Sequence, residues 1–316
     1  MVSIDFKFSN GWLQKFKERH NIRGYKCCGN ASLIEEQSLQ HIRSILQEKL
    51  SKFDPEAIYN FDETALFWKL APGSTLSIGA PNTLGKKSKD RVTVGLCCNS
   101  TGTNKYRPFV IGTSLKPRVF KNFDHKSFVD YTANRKGWNT QALFKNLLMG
   151  FNRHLQGKHR NAFLLLDNAA SHTLSEIELK SLNVTNIEMY YLPPNTAAYL
   201  QPLDQGIGRS FKAKYRKCVV RAQLNAFSRK QPFSFTLREA IIRIKLAWMQ
   251  VSMETIKHCW AHSGVISSCS SSNTTESVSA SNTSSNTSFS LFNDPDPVIE
   301  LDPLMKELPS QELVKF

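Results

Sequence analysis

Three aspartates occupy positions where an unpaired carboxylate would be costly, because each follows or ends an apolar run. Asp62 follows AIYNF, Asp167 closes FLLL, and Asp204 lies in LPPNTAAYLQPLDQG. Each acid taken alone has two explanations. It pairs with a base or caps a backbone amide, or it holds a cation together with other acids. Three converging carboxylates would suit Mg²⁺ or Mn²⁺, which prefer oxygen ligands.

The spacing of the aspartates favours the cation site. Thirty-seven positions separate Asp167 from Asp204, which leaves room for a crossover, one strand and a turn that bring the second acid back beside the first. Asp62 lies on an earlier apolar run that suits a central strand of the same sheet. We therefore expect the three side chains to meet at one edge of a sheet.

The elements that must position these acids alternate between strand and helix patterns over residues 56–228. Five short runs are rich in β-branched, aromatic and aliphatic residues and are bounded by Gly, Pro, Asn or Lys: AIYNFDE, RVTVGLCC, RPFVIG, NAFLLLD and IEMYYL. WNTQALFKNLLMGFNRHL has helical periodicity, and a second helix is predicted from about Leu203 to Phe227. The pattern predicts an α/β domain.

The flanking segments differ from this domain. Residues 1–32 contain a short helix, 33–55 read as a helical connector, and 229–262 as a C-terminal helical extension with an amphipathic helix and its continuation over 237–260. Residues 263–316 begin with a Ser/Thr/Asn tract and end in an acidic, proline-containing tail. We expect this last segment to be disordered, because it contains too little apolar surface to offset the entropy of ordering.

Charge and cysteine usage limit the class of protein. The chain of 316 residues carries a formal net charge of +15, and the positive excess lies before residue 261, which favours a polyanionic partner. Nucleic acid is the leading candidate, ahead of an anionic membrane surface or an acidic protein. The seven cysteines lack zinc-ligand spacing and are expected to be free thiols. Neither a signal peptide nor a membrane span is recognisable, so we expect an intracellular, soluble protein.

Several blocks resemble, in order, the pogo/Tigger/jerky group of transposase-derived proteins, which is related to centromere protein B and to the mariner superfamily. The blocks are YNFDETALFWKLAP, KSKDRVTVGLCCNSTG, LLLDNAASH and YLPPNTAAYLQPLDQGIGRSFK. The resemblance implies a ribonuclease-H-like mixed sheet flanked by helices as the catalytic domain over residues 56–228. It also implies an aspartate triad, which falls here on Asp62, Asp167 and Asp204.

In this family the triad binds two Mg²⁺ or Mn²⁺ ions, which activate water or a DNA 3′-hydroxyl for attack on a phosphodiester. The resemblance implies that Asp62 bridges both ions and that Asp167 and Asp204 each complete one. Three polar residues adjoin the acids and either support them through hydrogen bonds or have ordinary structural roles. They are Glu63, Asn168 and His172.

Basic residues in three places are candidate phosphate contacts, which give affinity without sequence selectivity. The loop GKKSKDR either clamps phosphates or is a solvated turn, and the two other sets are weaker candidates because exposed surfaces commonly carry such charges. The candidates are Lys86, Lys87, Lys89 and Arg91 in the loop, the pair Lys116 and Arg118, and Arg209, Lys212 and Arg216 on the second helix.

The N-terminal block SNGWLQKFKERHNI resembles the closing helix of the second helix-turn-helix of the family's DNA-binding region. Its basic residues, Lys15, Lys17 and Arg19, are further candidate DNA contacts. We interpret the block as a remnant without a complete sequence-reading helix set. Either the chain is N-terminally truncated, or its DNA specificity comes from elsewhere.

The function favoured by these patterns is that of a metal-dependent DNA transposase or endonuclease. The alternative is a domesticated, non-catalytic DNA-binding or chromatin-associated protein that keeps the fold. The resemblance further implies a nuclear location, DNA as partner and a possible homodimer.

Overall fold

The computed structural model describes residues 10–20, 34–69, 90–230 and 233–266. The predicted disordered tail lies outside this part of the chain from residue 267 onward. The predicted phosphate contacts Lys86, Lys87 and Lys89 also lie outside it.

A six-stranded mixed sheet forms the centre of the fold. Its strands are β1 Ile58–Phe67, β2 Arg91–Asn99, β3 Phe109–Gly112, β4 Asp130–Ala133, β5 Ala162–Leu166 and β6 Ile187–Tyr191. Their spatial order is β4-β3-β2-β1-β5-β6. β1, β2 and β3 form an antiparallel meander, while β5 lies parallel to β1, and β6 parallel to β5.

This arrangement is that of a ribonuclease-H-like sheet, with β4 added beside β3 as a parallel edge strand. The predicted fold class and the five predicted strands are therefore confirmed. β4 was not predicted from the sequence, because its residues DYTA are polar or only half-buried and give a weak strand signal. All five side chains of β5 are buried, as expected for a strand covered on both faces.

Eight helices accompany the sheet in the described residues. They are α1 Asn10–Arg19, α2 Glu36–Leu50, α3 Gln141–Gln156, α4 Glu176–Ser181, α5 Ala197–Leu200, α6 Gly208–Ser228, α7 Leu237–Met249 and α8 Met253–Ser263. Thr140 caps the start of helix α3, because its side chain accepts from the Leu143 backbone N–H. Its apolar stripe, including Phe144 and Phe151, packs on the sheet and completes the main core.

The predicted helical segment 237–260 is two helices. Thr236 and Glu239 form a capping box at the start of α7, and the Ser252 side chain caps α8 after a short break. The Trp248 indole donates to the Tyr106 carbonyl oxygen at 2.9 Å, which fixes α7 to the sheet. Whether residue 228 marks a domain boundary stays a prediction.

Two further expectations concern thiols and membranes. Cys97, Cys98, Cys218 and Cys259 are free, as predicted, and the other cysteines lie outside the described residues. Among the described helices none is both long and apolar enough to cross a membrane.

Candidate active site

One buried amide joins the segments that carry the three aspartates. Asn60 on β1 is fully buried, and its Nδ2 donates to the Leu165 carbonyl oxygen on β5 at 3.0 Å. Its Oδ1 accepts from the Leu203 backbone N–H at 2.9 Å. Since Asn60 lies opposite Leu165 in the parallel register, extending that register by two residues sets Asp167 beside Asp62. The sequence analysis did not identify Asn60 as a site residue.

The third aspartate lies on an irregular turn and not on the helix predicted from Leu203. Leu203–Ile207 forms a π-type turn, and the regular helix α6 begins at Gly208. Gly206 within this turn has a φ of 143°, a conformation that residues with a Cβ rarely adopt. This turn is also in contact with α8 and orients Asp204 toward β1. Such turns often occur at functional sites.

Asp62 and Asp204 form a carboxyl pair. Their side chains are hydrogen-bonded to each other. Burial, followed by the charges of Asp204, Glu63 and Asp167, raises the pKa of Asp62 well above its ordinary value. Burial and the charge of Asp167 likewise raise the pKa of Asp204, although Asp62 and Lys212 act in the opposite direction. The pair therefore holds a proton more tightly than isolated carboxyl groups do.

Asp167 has a different partner. Its side chain is hydrogen-bonded to Nδ1 of His172 and accepts from the Ala169 backbone N–H at 3.3 Å. Burial raises the pKa of Asp167. The two hydrogen bonds and the charge of His172 together outweigh this effect, so the pKa of Asp167 lies below its ordinary value. Asp167 therefore loses its proton more readily than Asp62 and Asp204 do.

His172 links Asp167 to Glu63. Its Nε2 lies 2.9 Å from a Glu63 carboxylate oxygen, and its side chain is 1% exposed. Burial lowers the pKa of His172, but the hydrogen bonds and charges of Asp167 and Glu63 outweigh it and raise the pKa to about 10. The imidazole is thus protonated and donates from both nitrogens. The side chain of Asn139 also donates to Glu63. Asn168, beside Asp167, is exposed.

The carboxyl pair faces a basic helix across a cleft of about 310 Å³. Asp62 and Asp204 line one part of it, and three cations of α6 line another: Arg209, Lys212 and Arg216. The predicted phosphate contacts of this helix are therefore neighbours of the acids. Asp167 does not line this cleft. The acidic floor could hold a cation, while the basic wall could contact phosphates.

The fit of this site to divalent metal is incomplete in the present arrangement. Two hydrogen-bonded carboxyl groups with raised pKa values form the kind of oxygen-donor set that a cation would stabilise. Nevertheless, within the described residues no group of three or more His, Cys, Asp or Glu side chains is arranged to hold a metal ion. Asp167 is bonded to His172 and does not line the cleft of the other two aspartates.

The remaining predicted DNA contacts are spread over the surface. Arg91 lies 4.4 Å over the ring of Trp138. Two of the others are exposed in the connection after β3, and three are exposed on α1, where the rings of Trp12 and Phe16 stack at 5.0 Å. These five are Lys116 and Arg118, and Lys15, Lys17 and Arg19.

Residues 89–260 match the family described as DDE superfamily endonuclease. The chain belongs to this family. The DDE match includes Asp167 and Asp204 and continues through α7 and α8, whereas Asp62 precedes it. Residues 2–26 match a second family, described as Tc5 transposase DNA-binding domain.

Individual relatives narrow the family to the pogo/Tigger/jerky and centromere-protein-B-like group predicted from the sequence. The chain is 30% identical over 264 residues to mouse Tigger transposable element-derived protein 4, covering 82% of this chain and 50% of that protein. It is 31% identical to human Jerky protein homolog, covering 80% and 45%. Identity to human major centromere autoantigen B is 24%, covering 82% and 46%. This chain thus spans about half the length of these relatives.

Among solved structures, a Mos1 transposase paired-end complex with left transposon end matches with 16% identity and a TM-score of 0.42, covering 81% of this chain and 70% of that one. The ribonuclease-H-like fold is therefore assigned from the strand order of this chain itself.

Proposed function

We propose that this chain catalyses metal-dependent phosphodiester cleavage and strand transfer on DNA through Asp62, Asp167 and Asp204. The observation that carries the proposal is the pair of Asp62 and Asp204 in one cleft, with Asp167 beside Asp62 in the extended register of β1 and β5. A fold gains no stability from adjacent like charges, so their presence points to a cation-binding role.

The three aspartates would hold two Mg²⁺ or Mn²⁺ ions. When bound, these ions stabilise the entering and leaving oxygens of an in-line displacement. The basic wall of the cleft, formed by Arg209, Lys212 and Arg216, would contact phosphates of the DNA. Asn60 would keep the acids in register, since it bonds to both β5 and the turn that carries Asp204.

A DNA cleavage assay tests the proposal directly. Supercoiled plasmid is incubated with Mn²⁺ or Mg²⁺ and with wild type, Asp167→Ala or the near-isosteric Asp167→Asn. We expect metal-dependent nicking or linearisation by the wild type alone. The control Asp124→Asn changes a carboxylate outside the site, bonded to Ser127, and should cleave as the wild type does. Equal cleavage by wild type and both Asp167 variants would contradict the assignment.

A second function is favoured by the contact between Asp167 and His172. Because this aspartate is already bonded to a buried, protonated histidine, the chain could retain DNA binding without cleavage. In that case binding would weaken with salt, and neither metal would produce nicking. We propose a nuclear location and a homodimer for either function, whether the chain cleaves DNA or only binds it.

A further inference from the structure

An exposed aromatic shelf lies beside the candidate active site. Trp138 is 58% exposed and Phe67 is 45% exposed, although both lie close to the sheet. Phe67 is the partner of Arg91 in the register of β1 and β2, and the guanidinium of Arg91 lies 4.4 Å over the Trp138 ring. Arg91 therefore lies against the Trp138 ring and is paired across the strands with Phe67. We refer to Phe67, Arg91 and Trp138 as the shelf.

The backbone of Trp138 is held rigidly despite the exposure of its ring. Asn134 accepts from the Trp138 backbone N–H at 3.2 Å and donates to the Trp138 carbonyl oxygen. Gly137 has a φ of 64°, which closes this turn, and its carbonyl oxygen accepts from Thr93 on β2 at 2.7 Å. A ring that is presented to solvent on a fixed turn loses little conformational entropy when a flat ligand stacks on it.

The shelf is connected to the candidate active site through adjacent residues. Asn139, which follows Trp138, donates its side-chain amide to Glu63. Glu63 and Phe67 are four residues apart on β1 and point to the same side of the strand. Glu63 is in turn bonded to His172 at 2.9 Å, and His172 is bonded to Asp167.

The charge around the shelf suits a polyanion. Arg135 and Lys136 are exposed on the same turn as Trp138, and Arg91 adds a third cation. A cleft of about 590 Å³ extends from Phe67 and Arg91 past Lys136. The acidic residue in the lining of this cleft is Asp90, which is paired with Lys69 at 2.6 Å. Aromatic faces with interspersed cations are the surface that stacks nucleobases while contacting the backbone of a single strand.

We propose that the shelf binds an unpaired nucleotide of the DNA substrate by stacking its base on Trp138. This inference rests on DNA being the substrate, but it does not depend on cleavage. The occupant is an unpaired base and not a duplex, because base pairs within a duplex present only their edges to a protein. The shelf thereby selects DNA with a frayed end, an overhang or a flipped base next to the acids.

The test uses two oligonucleotide duplexes in EDTA, so that cleavage cannot occur. One carries a single-stranded overhang with 2-aminopurine at its first unpaired position, and the other is blunt. Wild type should bind the overhang more tightly and change the fluorescence of 2-aminopurine. Trp138→Ala should weaken overhang binding by about 5- to 150-fold and leave blunt-duplex binding within about twofold.

Three matched variants separate stacking from other effects. Trp138→Phe keeps an aromatic face and should restore most of the preference for the overhang. Ile177→Ala removes another exposed apolar side chain, on α4, and should bind as the wild type does. Lys136→Ala should lower the salt dependence of binding by roughly one phosphate contact, whereas Trp138→Ala should leave it unchanged.

Two outcomes overturn the inference. Equal overhang affinity of wild type and Trp138→Ala would show that Trp138 does not stack on a base. An unchanged 2-aminopurine signal on binding would show that the unpaired base does not stack on the shelf. Stacking without plasmid cleavage would reject the proposed catalysis while supporting the shelf. Cleavage with no preference for the overhang would do the reverse.

Discussion

Asp62→Asn should stabilise the metal-free protein, since it removes one of two carboxyl groups that repel each other. Asp62 and Asp204 are hydrogen-bonded, and burial together with the charge of Asp204 raises the pKa of Asp62. Asparagine has nearly the same shape and can still donate to Asp204. The variant therefore tests the electrostatic cost of the pair with little change in packing.

Coulomb's law for two neighbouring carboxylates sets the upper limit of the magnitude. Two unit charges about 4 Å apart repel by about 4 kcal/mol at an effective dielectric constant of about 20, which is an upper limit. Although burial raises the pKa of its carboxyl group, part of Asp204 is exposed to solvent, and screening reduces the effect. We therefore expect a gain of about 1–2 kcal/mol at pH 7.5. For a domain of this size that gain corresponds to a melting temperature about 2–8 °C higher.

The pH dependence gives the sign of the effect. A carboxyl group with a raised pKa destabilises the folded state above its unfolded pKa, because the unfolded chain releases its proton more readily. The gain in Asp62→Asn should therefore be present at neutral pH, shrink as the pH falls, and disappear below about pH 4, where folded and unfolded Asp62 both become protonated.

Urea denaturation and thermal melting in EDTA at pH 4.5 and 7.5 measure this effect. Asp130→Asn is the matched control, because Asp130 accepts from Arg107 at 3.3 Å and should lose up to about 1 kcal/mol on substitution. Mn²⁺ should raise the melting temperature of the wild type more than that of Asp62→Asn. A loss of stability in Asp62→Asn at pH 7.5, or a gain that is equal at both pH values, would refute the reasoning.

Three further predictions concern the surroundings of the pair. His172→Ala should lower the free energy of unfolding by about 3–5 kcal/mol, because it leaves Asp167 and Glu63 without their buried cation. The pKa of His172 is raised to about 10, so its stabilising contribution should be complete below about pH 6.5 and be lost as the pH rises through about 10. Urea unfolding that gives the same difference in stability between wild type and His172→Ala at pH 6 and at pH 10 would contradict this. Asn60→Ala should cost about 2–4 kcal/mol in urea denaturation, because the Leu203 N–H and the Leu165 carbonyl lose their buried partner, and a loss below about 0.5 kcal/mol would show that the amide is dispensable. Lys212→Ala should reduce the salt dependence of DNA binding by roughly one phosphate contact in fluorescence anisotropy, while Lys180→Ala on α4 serves as the control that should not.

The sequence was sufficient for the features that depend on local pattern. Five of the six strands and helix α3 were predicted, because short apolar runs and the helical spacing of apolar residues can be recognised within a few neighbouring residues. The ribonuclease-H-like sheet was implied by the four sequence blocks that resemble, in order, the pogo/Tigger/jerky group. The candidate acids also came from sequence, since a carboxylate at the end of an apolar run is conspicuous.

Only the tertiary structure decided how these acids are connected. Asn60 bonds to residues more than one hundred positions away, and His172 joins Glu63 to Asp167 across two strands. The exposed ring of Trp138 over Arg91 likewise depends on the pairing of distant segments. Such contacts leave no periodic signal, because their partners come together only when the sheet forms. The sequence therefore identified which residues could do chemistry, whereas the fold determined that Asp62 pairs with Asp204 while Asp167 pairs with His172.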